Sequence, residues 1–359
     1  RGECHGEKIR REVTEFDRWR YGGIISLQPL GYFMAKRYKQ NSMKKTEPAE
    51  MTMYFPLPSP SLPGTTRTDY IDLSQVASLI NRRFYRQGIN WSVAGFKVLS
   101  TADSSGFIGL SKIPTSWVAG NSWMKAFSMW NKQQMQAVDD AGSQTAVSGF
   151  RDFKVFADEE HANQGVVNNL LPYSLGNNLA TPGMWEASQI VLPNTLPGAG
   201  GDLVEPSERF LHMCGINVNG TVSRGIIEGY ADSRAFPQSP DPVSPDIDSS
   251  QNWMARMFDD GNDINVVLEN ATDRNDELPY PQVDYPGGAA QLQSLMIHDL
   301  TFISPTTVGG TSYLKGGNFP CGIIRVDQTR GDGNLALQLL VDLVPGSHRG
   351  YHCEPMSEM

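Results

Sequence analysis

The stretch Tyr70-Ile-Asp-Leu-Ser-Gln-Val-Ala-Ser-Leu-Ile-Asn-Arg-Arg-Phe-Tyr-Arg-Gln-Gly-Ile-Asn-Trp-Ser-Val-Ala-Gly-Phe-Lys-Val-Leu99 separates two kinds of sequence. Before it lie a basic segment and a proline-rich run; after it come strand-like segments punctuated by Gly, Pro, Asn and Asp. Within it, Asp72 or Ser74 can cap a short helix carrying Val76, Leu79, Ile80 and Arg83, with Gly88 as its stop. Ile89 to Leu99 then reads as a strand with Trp91, Val93, Phe96 and Val98 as its apolar members. The turn-forming run Asp103-Ser104-Ser105-Gly106 leads into Phe107–Ile113, which predicts a hairpin.

Downstream, Trp123, Phe127 and Trp130 recur at i, i+4 and i+7 opposite Lys125, Asn131 and Lys132, predicting one clear helix from Asn121 to Val138. The remaining strand-like runs are Phe150–Phe156, Met184–Leu192, Glu208–Val218, Arg224–Tyr230, His298–Ile303, Gly322–Asp327 and Leu335–Val344. Long connections rich in Pro, Gly, Asn and Ser join them, which suits an all-β sandwich with elaborate loops and one or two inserted helices rather than a parallel sheet with crossover helices. Upstream, residues 51–69 carry Pro56, Pro58, Pro60 and Pro63 and read as an extended linker. The expected division is a basic arm over 1–50, the linker over 51–69 and a β-domain over 70–359.

The formal net charge of −9 hides an asymmetry. Residues 1–45 hold 11 Lys and Arg against 5 acids, leaving 19 basic residues against 34 acidic ones in the rest. A basic end on an acidic body suits a chain whose terminus meets a polyanion. Position 1 is Arg rather than Met, so the sequence reads as starting inside a longer chain. No run of about 18 apolar residues predicts a membrane span. The four cysteines, Cys4, Cys214, Cys321 and Cys353, show no Cys-x-x-Cys spacing and read as reduced thiols.

Two basic clusters interleave cations with aromatic rings: Lys36-Arg37-Tyr38-Lys39, with Lys44 and Lys45 following, and Arg82-Arg83-Phe84-Tyr85-Arg86. Cations neutralise phosphates and aromatic faces stack unpaired bases, so Lys36, Arg37, Lys39, Lys44, Lys45, Arg82, Arg83 and Arg86 are the candidate nucleic-acid contacts. The competing reading of the second cluster makes Phe84 and Tyr85 core residues and pairs the arginines with carboxylates. Asp259, Asp260 and Asp263 offer hard oxygens of the kind Ca²⁺ takes, without an EF-hand pattern, and solvated turn residues explain them too. No nucleophile elbow, His-Glu-x-x-His or phosphate-cradling glycine loop is present, so no enzyme is expected. Asp158-Glu159-Glu160-His161 suits either an acid/base group or a turn.

Ile71-Asp-Leu-Ser-Gln75 with Asn81-Arg-Arg-Phe-Tyr-Arg-Gln-Gly88, Arg151–Asp158, Trp185–Pro193, Ser223–Ala231, Arg274–Tyr280 and Val344-Pro-Gly-Ser-His-Arg-Gly-Tyr351 resemble segments of capsid proteins of small circular Rep-encoding single-stranded DNA viruses of environmental, marine type. The resemblance spans most of residues 70–359. It implies a single viral jelly-roll subunit that assembles with its own copies into an icosahedral shell. The implied partners are a single-stranded DNA genome inside, held by a basic arm, and an unknown host receptor outside; the implied location is the virion, with no membrane contact. The implied cofactor is none beyond a structural Ca²⁺. This chain lacks the expected dense arginine run at its start, which leaves genome contact to Lys36–Lys45 and Arg82–Arg86. The rival reading from another class is a carbohydrate-binding or hydrolytic β-sandwich in which Trp117, Trp185 or Trp253 stacks sugars.

Overall fold

Alternation of buried and exposed side chains along the backbone builds eight strands into two facing antiparallel sheets. A computed structural model describes residues 48–146, 152–173, 179–192, 206–217, 221–234, 265–266, 269–270 and 294–359, all within the unit Lys45–Met359. In chain order the elements are β1 (Thr52–Leu57), β2 (Thr66–Asp72), α1 (Leu73–Asn81), β3 (Ile89–Ser100), β4 (Gly106–Lys112), α2 (Trp117–Asp140), α3 (Glu159–Gln164), β5 (Gln189–Leu192), β6 (Ser207–His212), β7 (Ser223–Gly225), α4 (Ile226–Arg234), β8 (Met296–Ile303), β9 (Thr311–Phe319), β10 (Ile323–Arg330), β11 (Leu337–Leu343), β12 (Pro345–Gly346), β13 (Gly350–Tyr351) and β14 (Cys353–Pro355).

One sheet runs β1–β11–β3–β9; β14 takes up the pairing of β3 at Ile89–Trp91 where β11 leaves it at Val93. The other runs β2–β10–β4–β8. Their inner faces share one apolar core: Phe55, Phe96, Val98, Leu339 and Val341 from the first sheet meet Ile71, Ile108, Leu110, Ile324 and Val326 from the second. At one end the connections are short and mutually bonded, as in Gly64 N–H to Arg330 O (2.8 Å) and Gly331 N–H to Ser105 O (2.9 Å). At the other end emerge α1 and its following loop, the described parts of the 113–295 insertion and the C-terminal tail. A second apolar core forms there, with Ile113, Val118, Phe153, Val155, Met213, Ile227, Ile323 and Met356.

Several expectations are corrected. Ile89–Leu99 and Phe107–Ile113 are not a hairpin: β3 and β4 belong to different sheets, and the 101–105 turn crosses between them. The stretch 51–69 is not an extended linker, because Met53, Phe55 and Leu57 of β1 are buried against β11. Pro56 is accommodated because β1 is an edge strand, where a missing N–H breaks no ladder. α1 begins as expected at Asp72 but ends at Arg82, in the left-handed region at φ 53°, well before Gly88. Four helices stand among the described residues rather than one or two. Arg224–Tyr230, expected as a strand, turns helical at Ile226, whose face with Ile227 is buried in the second core. No helix among the described residues is long and apolar enough to cross a membrane.

A polar knot pins the insertion to the outer face of the second sheet. Arg325 of β10 reaches Asp158 (2.9 Å), Glu160 (3.1 Å) and Asp327 (3.0 Å), while Tyr70 of β2 donates its hydroxyl to Asp158 (2.7 Å). Asp158 also caps α3 through His161 N–H (2.8 Å), so Asp158–His161 is a helix start rather than a turn. His161 stacks on Tyr70 at 4.1 Å. Its Nδ1 accepts from Ala157 N–H (3.2 Å), so the ring proton lies on Nε2 and is donated to Asn169 Oδ1 (2.9 Å). Burial holds this imidazole down at about 4 against its ordinary 6.5. The unfolded chain therefore takes up the proton first, and stability is lost as pH falls from about 6.5 towards 4. We expect acidification from pH 7 to pH 5 to cost about 2 kcal/mol through this group. Asp72 titrates with the opposite sign in both chains, so the cost is read as a difference: between pH 7 and pH 5, denaturant unfolding should show the native chain losing about 2 kcal/mol more stability than His161→Gln.

Candidate nucleic-acid interface

The arginine loop 82–88 owes its shape to the aromatic residue at its centre. Tyr85 is buried, packing on Trp91 (5.9 Å) and Tyr351 (5.5 Å), and donates its hydroxyl to Arg349 O (2.9 Å). Arg82 and Arg86 are exposed on either side, and their guanidinium groups make no hydrogen bond or ion pair among the described residues, while the Arg86 carbonyl accepts from Ser74 Oγ (3.1 Å). Arg83 donates to Pro48 O (3.0 Å). The interleaved cluster is thus partly core and partly exposed: Tyr85 is a packing residue, and Phe84 is half-buried with the Lys154 ammonium over its ring (5.9 Å).

Folding adds a residue that sequence proximity hides. Arg349, on the turn between β12 and β13, donates to Phe84 O and so joins the loop from 265 positions away. It is exposed, and φ of 49° at this non-glycine residue turns the chain back so that Gly350 and Tyr351 re-enter the core. Arg82, Arg86 and Arg349 thus present exposed cations around this loop. No signal in the sequence joined Arg349 to the cluster, although it lies in Val344–Tyr351, one of the segments carrying the family resemblance.

Beside Arg86 lies an open groove of about 400 Å³ whose floor is aromatic, lined by Trp123 and Phe127 of α2, Phe153, His348 and Glu354. The Trp123 and Phe127 rings are parallel within 4° at 5.4 Å, and Phe153 meets Trp123 edge-on at 5.8 Å and Phe127 at a tilt at 5.9 Å. Phe127 is 37 % exposed. Asp152, which also borders the groove, is itself held by Lys154 (3.6 Å); burial raises its pKa, against the pull of Lys154 and Arg86. Burial, then the neighbouring Arg349, lowers the pKa of His348, keeping that ring neutral at pH 7.

Other sequence candidates fall elsewhere. Lys36, Arg37, Lys39, Lys44 and Lys45, and Asp259, Asp260 and Asp263, lie outside the described residues. Among the described residues no group of three or more His, Cys, Asp or Glu is placed to hold a metal ion. Trp185 donates Nε1–H to Asp72 (3.0 Å) and is capped by Lys154 at 4.5 Å, so its ring is engaged; Trp117 packs on the second core; Trp253 lies outside the described residues. No family model matches this chain, and no curated protein or solved structure matches it either.

Gly88 sets the height of the groove floor, since a Cβ there would collide with Trp123 Cζ2 and Cη2. Gly88→Ala should displace the indole and cost about 1–3 kcal/mol, as overpacking does. A red shift of tryptophan emission together with a lowered denaturation midpoint would register it.

Proposed function

We propose that the chain is a viral capsid protein that assembles with its own copies into a closed shell around single-stranded DNA. The observation that carries the reading is strand order. Numbered one to eight along the chain, the sandwich strands run 1-8-3-6 in one sheet and 2-7-4-5 in the other. This order supports reading the sandwich as a jelly roll, an architecture shared by viral shells and lectins. The segment resemblance favours the shell over the lectin.

Two further features support self-association and genome contact. The outer face of β4 and β8 presents an apolar row, with Phe302 74 % exposed, Ile297 68 % and Leu300 50 %, beside Phe107. A contiguous exposed apolar surface marks an interaction site, and a second copy of the chain is the partner that a shell requires. The cations Arg82, Arg86 and Arg349 supply sequence-independent attraction for phosphate. In this reading the protein works by assembly rather than turnover.

Electron micrographs of the purified full chain are expected to show particles of uniform size; a strictly monomeric species at high concentration and low salt would sink the proposal. Phe302→Asp should yield a folded subunit that forms no particles, checked by circular dichroism and sedimentation. For genome contact, affinity for a single-stranded oligonucleotide should fall steeply with salt. Each of Arg82→Ala, Arg86→Ala and Arg349→Ala should reduce the slope of log K against log salt by about 0.7.

A further inference from the structure

We infer that the groove beside Arg86 is a subsite for one unpaired nucleobase of single-stranded nucleic acid, the base packing against the Phe127 ring and its phosphate meeting Arg86. The inference rests on the nucleic-acid part of the proposed function and gives Trp123 and Phe127, which the sequence marks only as the apolar face of a helix, a contact role. The aromatic rings lining the groove beside Arg86 are on α2 rather than in the loop, where Tyr85 is buried and Phe84 is half-buried with the Lys154 ammonium over its ring.

Three observations converge on a base. First, Trp123 and Phe127 stand one helical turn apart with rings parallel within 4° at 5.4 Å; although the Phe127 ring also meets Trp130 (6.3 Å) and Phe153 (5.9 Å), it stays 37 % exposed in the groove, leaving ring surface against which a base can pack. Such stacking tolerates any base, because every base has a π-face. Second, the groove's volume of about 400 Å³ falls within the range of about 300–1,000 Å³ typical of small-molecule sites. Third, the charge at its rim favours an anion. Arg86 has no counter-charge bonded to it among the described residues, and Arg349 stands next to the lining residue His348. Of the two lining carboxylates, Asp152 is bonded to Lys154 and only Glu354 is exposed. A neutral sugar would use the aromatic floor but not the cation; a nucleotide uses both.

The test compares two fluorescently labelled oligomers of equal length at low salt, oligothymidylate and its abasic deoxyribose-phosphate counterpart, binding to the full chain by anisotropy. Phosphate charge is the same in both, so any preference reports the base. The native chain is expected to bind oligothymidylate about tenfold more tightly, the order of one stacked base. Phe127→Leu, which keeps apolar packing but removes the ring face, should abolish that preference and leave abasic binding unchanged; Arg86→Ala should weaken both oligomers alike. Equal affinity of the native chain for both oligomers overturns the subsite while leaving phosphate contact standing. A preference that survives Phe127→Leu overturns it as well. Failure of both oligomers to bind overturns the subsite and the genome-contact reading together, while particle formation tests the shell separately. If Phe127→Leu changes the sedimentation of the protein but not its oligomer preference, the groove is a contact between copies and the subsite is overturned.

Discussion

Asp72 is the joint on which the decorated end of the molecule depends. Its buried carboxylate ends β2, caps α1 through Ser74 N–H (2.9 Å) and Gln75 N–H (3.3 Å), and accepts from Gln87 Nε2 (3.1 Å) and Trp185 Nε1 (3.0 Å). Gln87 in turn clasps Val155 by both backbone groups, donating to its carbonyl (3.0 Å) and accepting from its N–H (2.6 Å). One side chain therefore ties a sandwich strand, the first helix, the arginine loop and two segments of the long insertion. Burial drives its pKa up to about 6 in spite of four donors. Desolvation outweighs the hydrogen bonds, so the carboxylate's charge is held at a net expense and stability from this group is greatest when it is protonated. That sign opposes the one at His161, and the two buried groups partly offset each other in the mildly acidic range.

The arrangement separates packing from exposure at short range. Within five residues, Tyr85 is locked between Trp91 and Tyr351 while Arg82 and Arg86 reach solvent. Tyr351 is fixed in turn by Asn81 Nδ2 (2.7 Å) and by its own donation to Glu50 O (2.6 Å). The exposed cations thus stand on a rigid base, which limits the conformational entropy lost when they meet an anion.

Much of the sandwich was legible because its strands alternate cleanly: Leu337, Leu339, Val341 and Leu343 are buried as their spacing demands, and α2 encloses the predicted 121–138 with extra residues at each end, begun by Ser116. The Asp72 cap was legible for the same local reason. β9 was not, since Tyr313-Leu-Lys-Gly-Gly-Asn318 reads as a turn. Gly316 is there because a side chain would strike the backbone of Ala94, and Gly317 because a Cβ would meet His298 Cε1 at 2.7 Å. Glycine here permits close approach of strands rather than reversal of the chain. β1 was masked by prolines that an edge strand tolerates. At the candidate site, the three local arginines were visible and the partners were not: Arg349, Trp123 and Phe127 come from distant segments whose meeting only the completed fold arranges.

The place of β11 has a consequence for how the chain is made. This strand lies between β1 and β3 and is hydrogen-bonded to both along most of its length, yet it is the last of the eight to leave the ribosome. The first and third strands have no direct ladder with one another. Until residue 343 emerges, β1 lacks its ladder partner and the first sheet stays split between β1 and the β3–β9 pair, and β4 must await β8 across the entire insertion. Such long-range pairing is slow and leaves strand edges open to wrong partners meanwhile. A nascent chain of this topology needs its apolar strands shielded throughout translation, and its sandwich closes in a late step that pairs β1 with β11.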